Sequence, residues 1–152
     1  MASRRREPGV TLPELLVVIA IIGLAVAVSI PLVTDAVRAS RIRVAANQFT
    51  VTLKAVRMIA VSTQSPVDLV IHASPANAYE YTDIAGRLRR FEMPPGVRIT
   101  SADSTIAFRP NGSVTAQSAT RFEVDLTRGK TEVWNVGTSM LGVSTVTHSV
   151  EP

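Results

Sequence analysis

A carboxylate at the mouth of an apolar run is the first chemically notable feature of this sequence. Glu14 directly precedes Leu15–Thr34, twenty residues without a charge. A carboxylate held in lipid costs roughly 2.5–3.5 kcal/mol, and no Lys or Arg within that run can neutralise it, so a cation from elsewhere is implied. A local role is available too: Thr11-Leu12-Pro13-Glu14 fits a capping box, with Thr11 as N-cap, Pro13 where a missing N–H costs nothing, and Glu14 reaching back from the first turn. Other chemistry is sparse. The chain has no cysteine, which removes disulfides, thiolate metal sites and thiol nucleophiles. His72 and His148 have no partner at ligand spacing and read as surface or strand residues. Glu123 and Asp125 alternate along one exposed strand face. No phosphate loop, metal-spaced cluster, serine elbow or glycosidase-like carboxylate pair is present, so the chain reads as a non-enzyme without cofactor or metal.

The elements that must position Glu14 follow from hydropathy. At about 1.5 Å per residue, Leu15–Thr34 matches a hydrocarbon core of about 30 Å and reads as one transmembrane helix. Arg4, Arg5 and Arg6 precede it and the other flank is less basic, which leaves the N-terminus in the cytoplasm and the bulk of the chain across the membrane. An ordinary secretory signal fits less well, because its apolar core is usually about 7–15 residues. Beyond the span, Ile42, Ala45, Phe49, Leu53, Val56 and Ala60 recur at steps of three and four, the pattern of an amphipathic helix that packs on a sheet. It is expected to run to about Val61, where Ser62-Thr63-Gln64-Ser65-Pro66 stops it. From Thr11 the helix would measure on the order of 75 Å.

After Pro66 the period changes to two. Candidate strands are Val67–His72, Tyr79–Ile84, Arg87–Glu92, Val97–Thr100, Thr105–Arg109, Ser113–Gln117, Arg121–Leu126, Thr131–Val136 and Gly142–Thr147, with Asn111-Gly112 and Arg128-Gly129 as hairpin turns. The fold class expected is α+β: a long N-terminal helix, its first half transmembrane, packed on an antiparallel β-rich C-terminal head. Residues 35–61 form the amphipathic half of the helix and 62–152 the head, with 35–152 as one globular unit. Roughly ninety residues of head can bury only a modest core.

Gly9-Val10-Thr11-Leu12-Pro13-Glu14-Leu15-Leu16 resembles the class III signal of type IV pilins and type II secretion pseudopilins, in which a short basic leader ends in glycine and glutamate stands five residues later. The resemblance implies that residues 1–9 are a leader, that a prepilin peptidase cuts between Gly9 and Val10, that the new amino group of Val10 is methylated, and that Glu14 pairs with the N-terminal amine of a neighbouring subunit during filament assembly. Residues 10–34 then remain as the membrane half of the helix. Pro8 and Gly9 disfavour helix before the cut. Val10 stands where the family most often has phenylalanine, and Pro13 where an aliphatic residue is usual. Gly23 and Pro31 fall where such helices commonly weaken, although a simple kink at Pro31 explains them as well.

In the head, "MPPGVRI" (Met93–Ile99) followed by "TIAFRPNGSV" (Thr105–Val114) resembles the GspH/FimT-like minor pilins. The implied function is that of a minor pseudopilin or minor pilin, a structural subunit of a type II secretion pseudopilus or type IV pilus. It implies as partners the peptidase, other major and minor pilins, the inner membrane and secreted cargo, and it places the protein in the inner membrane with a periplasmic head. A DNA-binding minor pilin for uptake is the alternative. DNA-binding members carry Gly-Arg-x-Arg near the C-terminus, whereas the corresponding stretch here is Gly142-Val143-Ser144-Thr145. The remaining candidates for nucleic-acid contact are Arg87, Arg89, Arg90 and Arg98. Glu80, Asp83 and Glu92 flank them, and loss of residues 1–9 removes three arginines and one glutamate, lowering the net charge from +4 to +2. A solvated strand face outweighs a DNA groove.

Overall fold

The computed structural model describes residues 11–152, apart from the side chains of Val28, Pro31, Leu32 and Arg128. Among the described residues one α-helix, α1, runs Leu12–Thr63, and eight strands follow: β1 Val67–His72, β2 Ala78–Thr82, β3 Leu88–Glu92, β4 Val97–Ile99, β5 Ser104–Phe108, β6 Ser118–Asp125, β7 Thr131–Thr138 and β8 Ser144–Glu151, with a 3-10 turn at Thr127–Gly129 between β6 and β7. The architecture is α+β, as the change of period implied. The backbone divides at Thr34/Asp35 into two compact units.

In the first unit α1 continues through Gly23 and Pro31. Successive described side chains of this segment are exposed, including Leu15, Leu16, Val17, Val18 and Ile19. The Ser29 and Thr34 hydroxyls donate to the carbonyls of Ala25 and Ile30, at 2.8 and 3.0 Å, and thereby satisfy themselves inside the apolar run. Among the described residues no helix is long and apolar enough to cross a membrane. The charge-free stretch contains three of the side chains outside the description.

The second unit holds the core. Two four-stranded antiparallel sheets, ordered β3-β2-β1-β5 and β4-β6-β7-β8, pack with the later part of α1. Ile42, Ala45, Phe49, Leu53, Val56 and Ala60, the residues picked out by helical spacing, are all buried, and Ala46 joins them. Phe49 joins the two sheets: its ring meets Tyr79 of β2 edge-on at 5.0 Å and Phe122 of β6 at 5.2 Å. Burial raises the Tyr79 phenol above its ordinary pKa, partly offset by its contact with the Thr52 hydroxyl at 3.4 Å.

Of the expected strands only β1 keeps the bounds read from the sequence, and three of the differences, the end of α1 included, have a visible cause. α1 ends at Thr63, two residues beyond Val61, because the Thr63 hydroxyl and the Gln64 amide donate to the Ile59 and Val61 carbonyls at 2.7 Å each, and Gln64 takes a positive φ of 52°. Ser113–Gln117 is no strand. The Asn111 carboxamide accepts from the Ser113 N–H at 3.0 Å in the turn, and the stretch keeps one bridge to β5, Phe108 with Val114, while the Val114 N–H goes to the Met140 carbonyl at 3.0 Å. Gly142 lies in a turn rather than in β8: its N–H donates to the Ser139 carbonyl at 2.8 Å, and its φ is +72°. The strand proper begins at Ser144 and pairs with β7 out to Thr131↔Glu151.

Candidate processing and assembly site

Gly9 and Val10, the residues of the expected cut, lie outside the described residues. The adjoining helix start is described. Leu15 N–H donates to the Thr11 carbonyl at 3.2 Å, the first bond of α1, and the Thr11 N–H donates to Glu14 Oε2 at 3.4 Å. That second bond is half of a capping box, and it is longer than a normal N–H···O bond. Among the described residues no backbone N–H donates to the Thr11 hydroxyl in return. Glu14 therefore sits in the first turn, exposed, and among the described residues its carboxylate accepts one long bond.

The four arginines considered for nucleic acid are not brought to one place. Arg87, Arg89 and Arg90 belong to the β2–β3 hairpin of the first sheet, and Arg98 to β4 of the second. Each is ion-paired. Asp83 Oδ2 accepts from Arg87 Nε at 3.2 Å and Arg89 Nε at 3.0 Å, while its Oδ1 accepts the Ala85 and Arg87 N–H groups at 2.9 and 3.0 Å. The Arg87 backbone bond foremost, then the neighbouring guanidiniums, hold the Asp83 carboxyl below the ordinary carboxylate range. Arg90 lies 3.4 Å from Glu80 and 4.0 Å from Glu92, and Arg98 lies 2.9 Å from Asp125. The acids that flank Arg87, Arg89 and Arg90 in sequence thus neutralise them in space, as expected of a solvated strand face, whereas Arg98 draws its partner from β6.

Sequence reasoning missed several engaged side chains. Glu132, buried, accepts from Trp134 Nε1 at 2.9 Å and faces His148 Nε2 at 3.0 Å. His72 Nε2 stands 3.3 Å from Glu80, but without hydrogen-bond alignment. Both histidines lie in strands, each diagonal to a glutamate of the neighbouring strand: His72 is opposite Ala78 and His148 opposite Trp134. Arg121 of β6 bridges Glu123 and Glu151, and both contacts raise its pKa. Arg57 of α1 donates to the Gly142 carbonyl at 3.3 Å, where the 109–112 and 139–142 turns meet. At the other end of the head, Asp35 accepts the Thr127 N–H at 2.8 Å and its hydroxyl too. Nearby, Arg38 donates to the Asp125 carbonyl at 3.0 Å and Arg41 to the Pro95 carbonyl at 3.2 Å. Partners up to 92 residues apart leave no local signal. Only the closeness of Arg38 and Arg41 to the apolar run was readable.

Comparison with known proteins finds two matches along the chain. Residues 45–142 match the model of the type II transport protein GspH, and residues 4–30 match the prokaryotic N-terminal methylation motif. No curated protein and no solved structure matches significantly. The GspH match covers α1 from Ala45 on and the head up to Gly142, and the methylation motif covers Gly9, Val10 and Glu14. The chain therefore belongs to the type II transport protein GspH family, within the type IV pilins and type II secretion pseudopilins.

Proposed function

We propose that this minor pseudopilin or pilin is cut by a prepilin peptidase between Gly9 and Val10, methylated on Val10, and held in the inner membrane by Leu15–Thr34 with its head in the periplasm. From there it enters a type II secretion pseudopilus or a type IV pilus, where Glu14 meets the amine of a neighbouring subunit. The observation that carries this reading is one chain with a methylation motif over residues 4–30 and a GspH head over 45–142. The exposed side of α1 adds support: Val37, Val44, Val51 and Met58, at intervals of seven, are 44%, 54%, 64% and 72% exposed. Apolar residues at that interval are the pattern of a seam between helices. The uptake reading has no comparable support, since the arginines it would use are ion-paired within the head.

Mass spectrometry of the membrane-extracted protein tests the processing step. The chain is expected to begin at N-methyl-Val10, and Gly9→Arg to leave the precursor uncut. A mature chain beginning near Ser29 or later would replace the reading with an ordinary signal peptide.

A further inference from the structure

A cleft of about 330 Å³ opens where the start of the second unit's helix meets the turn before β4, and it is lined by Arg38, Arg41, Pro95, Gly96, Arg98, Val124 and Asp125. Three arginines face one carboxylate there. Asp125 neutralises Arg98 at 2.9 Å. The hydrogen bonds of Arg38 and Arg41 go instead to the carbonyls of Asp125 and Pro95, which carry no formal charge, and among the described residues neither arginine is ion-paired. A guanidinium has five N–H donors, so each keeps most of its donors after that one bond. The carbonyl contacts fix the two side chains in place. The second wall is the Pro94-Pro95-Gly96 turn, closed by the Val97 N–H on the Pro94 carbonyl at 3.0 Å. A Cβ built on Gly96 would meet nothing within 4 Å, so that wall is open to an incoming group. The arginines of the β2–β3 hairpin contrast with this arrangement, because each of them is met by a carboxylate.

We infer that Arg38 and Arg41, with Arg98 beside them, form a binding site for a phosphate anion, the planar guanidinium being suited to grip phosphate oxygens in pairs. A lipid headgroup phosphodiester is the source that sequence position favours, since Arg38 and Arg41 come four and seven residues after Thr34, the last residue of the charge-free run. That choice of source rests on the membrane reading proposed above; the anion chemistry does not.

The test uses the full chain, with ¹⁵N-labelled arginine, in dodecyl maltoside micelles, and follows the Nε–H signals of Arg38 and Arg41. Phosphatidylglycerol doped into the micelles is expected to shift both signals to saturation, and phosphatidylcholine to leave them in place. Arg41→Gln should weaken the apparent affinity roughly tenfold, Arg41→Lys less, and Arg90→Gln, which changes net charge equally elsewhere, by under twofold. Inorganic phosphate separates the sources. Saturation only at much higher phosphate than phosphatidylglycerol identifies the headgroup, and equal or tighter phosphate binding identifies a free anion in the same site. Absence of binding by both, equal weakening by Arg41→Gln and Arg90→Gln, or a short DNA duplex displacing phosphatidylglycerol at lower concentration would each overturn the inference. Cleavage at Gly9, read by mass on the same protein, reports separately on the processing reading.

Discussion

At the scale of single residues, Glu14 has two accounts that differ in magnitude and in place. As a helix cap its loss costs about 1 kcal/mol, and the bond that would be lost is already long at 3.4 Å. As an assembly group its loss leaves the chain intact and fails at the filament. Glu14→Gln is therefore expected to be processed after Gly9 nearly as well as the wild type, since the basic leader and glycine are untouched, yet to be depleted in cross-linked or sheared filaments relative to membrane. Normal filament incorporation would leave Glu14 as a cap alone. Burial of the carboxylate in lipid costs roughly 2.5–3.5 kcal/mol, so the variant should insert more easily, and poor assembly could not be blamed on poor anchoring. The flanking arginines show what residue type alone conceals. Arg38, Arg41 and Arg43 follow the apolar run more sparsely than Arg4, Arg5 and Arg6 precede it, and charge counting alone does not show what they do. In the structure Arg38 and Arg41 tie α1 to the head through the Asp125 and Pro95 carbonyls.

Among the elements, what repeats locally was legible and what depends on distant partners was not. β1 is bounded by the residues the alternation picked out, and Ile106 and Phe108 of β5 point inward as their spacing required. Ser113–Gln117 alternates as well, but it buries only Val114, whose N–H turns to the Met140 carbonyl at 3.0 Å, and its pairing with β5 stops at one bridge. Alternation describes which residues could share a face, and a ladder also needs a partner edge in reach. The role of Gly142 likewise comes from elsewhere in the chain. A Cβ there would lie 2.3 Å from the Gly112 carbonyl and 3.1 Å from Arg57 Nε, at a φ of +72° that side chains rarely adopt. Gly142→Ala is thus expected to destabilise the head by about 1–3 kcal/mol from backbone strain alone, more if the two turns must separate. Gly86→Ala, at a similar φ of +75° but with nothing within 4 Å, should cost less. Thermal unfolding of the two variants compares them, and equal losses would refute a tertiary role for Gly142.

For the whole molecule, the question is where the independently folding part begins. Helical periodicity places the first buried side chain at Ile42, which suggests that a head cut near Ser40 keeps its entire core. The contacts before Ile42 are polar and were invisible to that argument: Asp35 on Thr127, Arg38 on the Asp125 carbonyl, Arg41 on the Pro95 carbonyl. They fasten the first turns of this part of α1 to the β6–β7 loop and to the turn before β4. Each hydrogen bond to a charged group contributes roughly 1.5–3 kcal/mol, though partial exposure of Arg38 and Arg41 discounts theirs. A fragment covering 35–152 is expected to be folded and to melt about 5–15 °C above one covering 42–152, given that roughly 1 kcal/mol moves the midpoint of a domain this size by about 4–8 °C. Circular dichroism melts at matched concentration make the comparison, and coincident melting curves would show these bonds to be incidental to head stability. A double variant, Asp35→Asn with Arg38→Gln in the 35–152 fragment, should recover much of the difference without shortening the helix. If it does not, the loss belongs to the missing helical turns rather than to the side chains that anchor them.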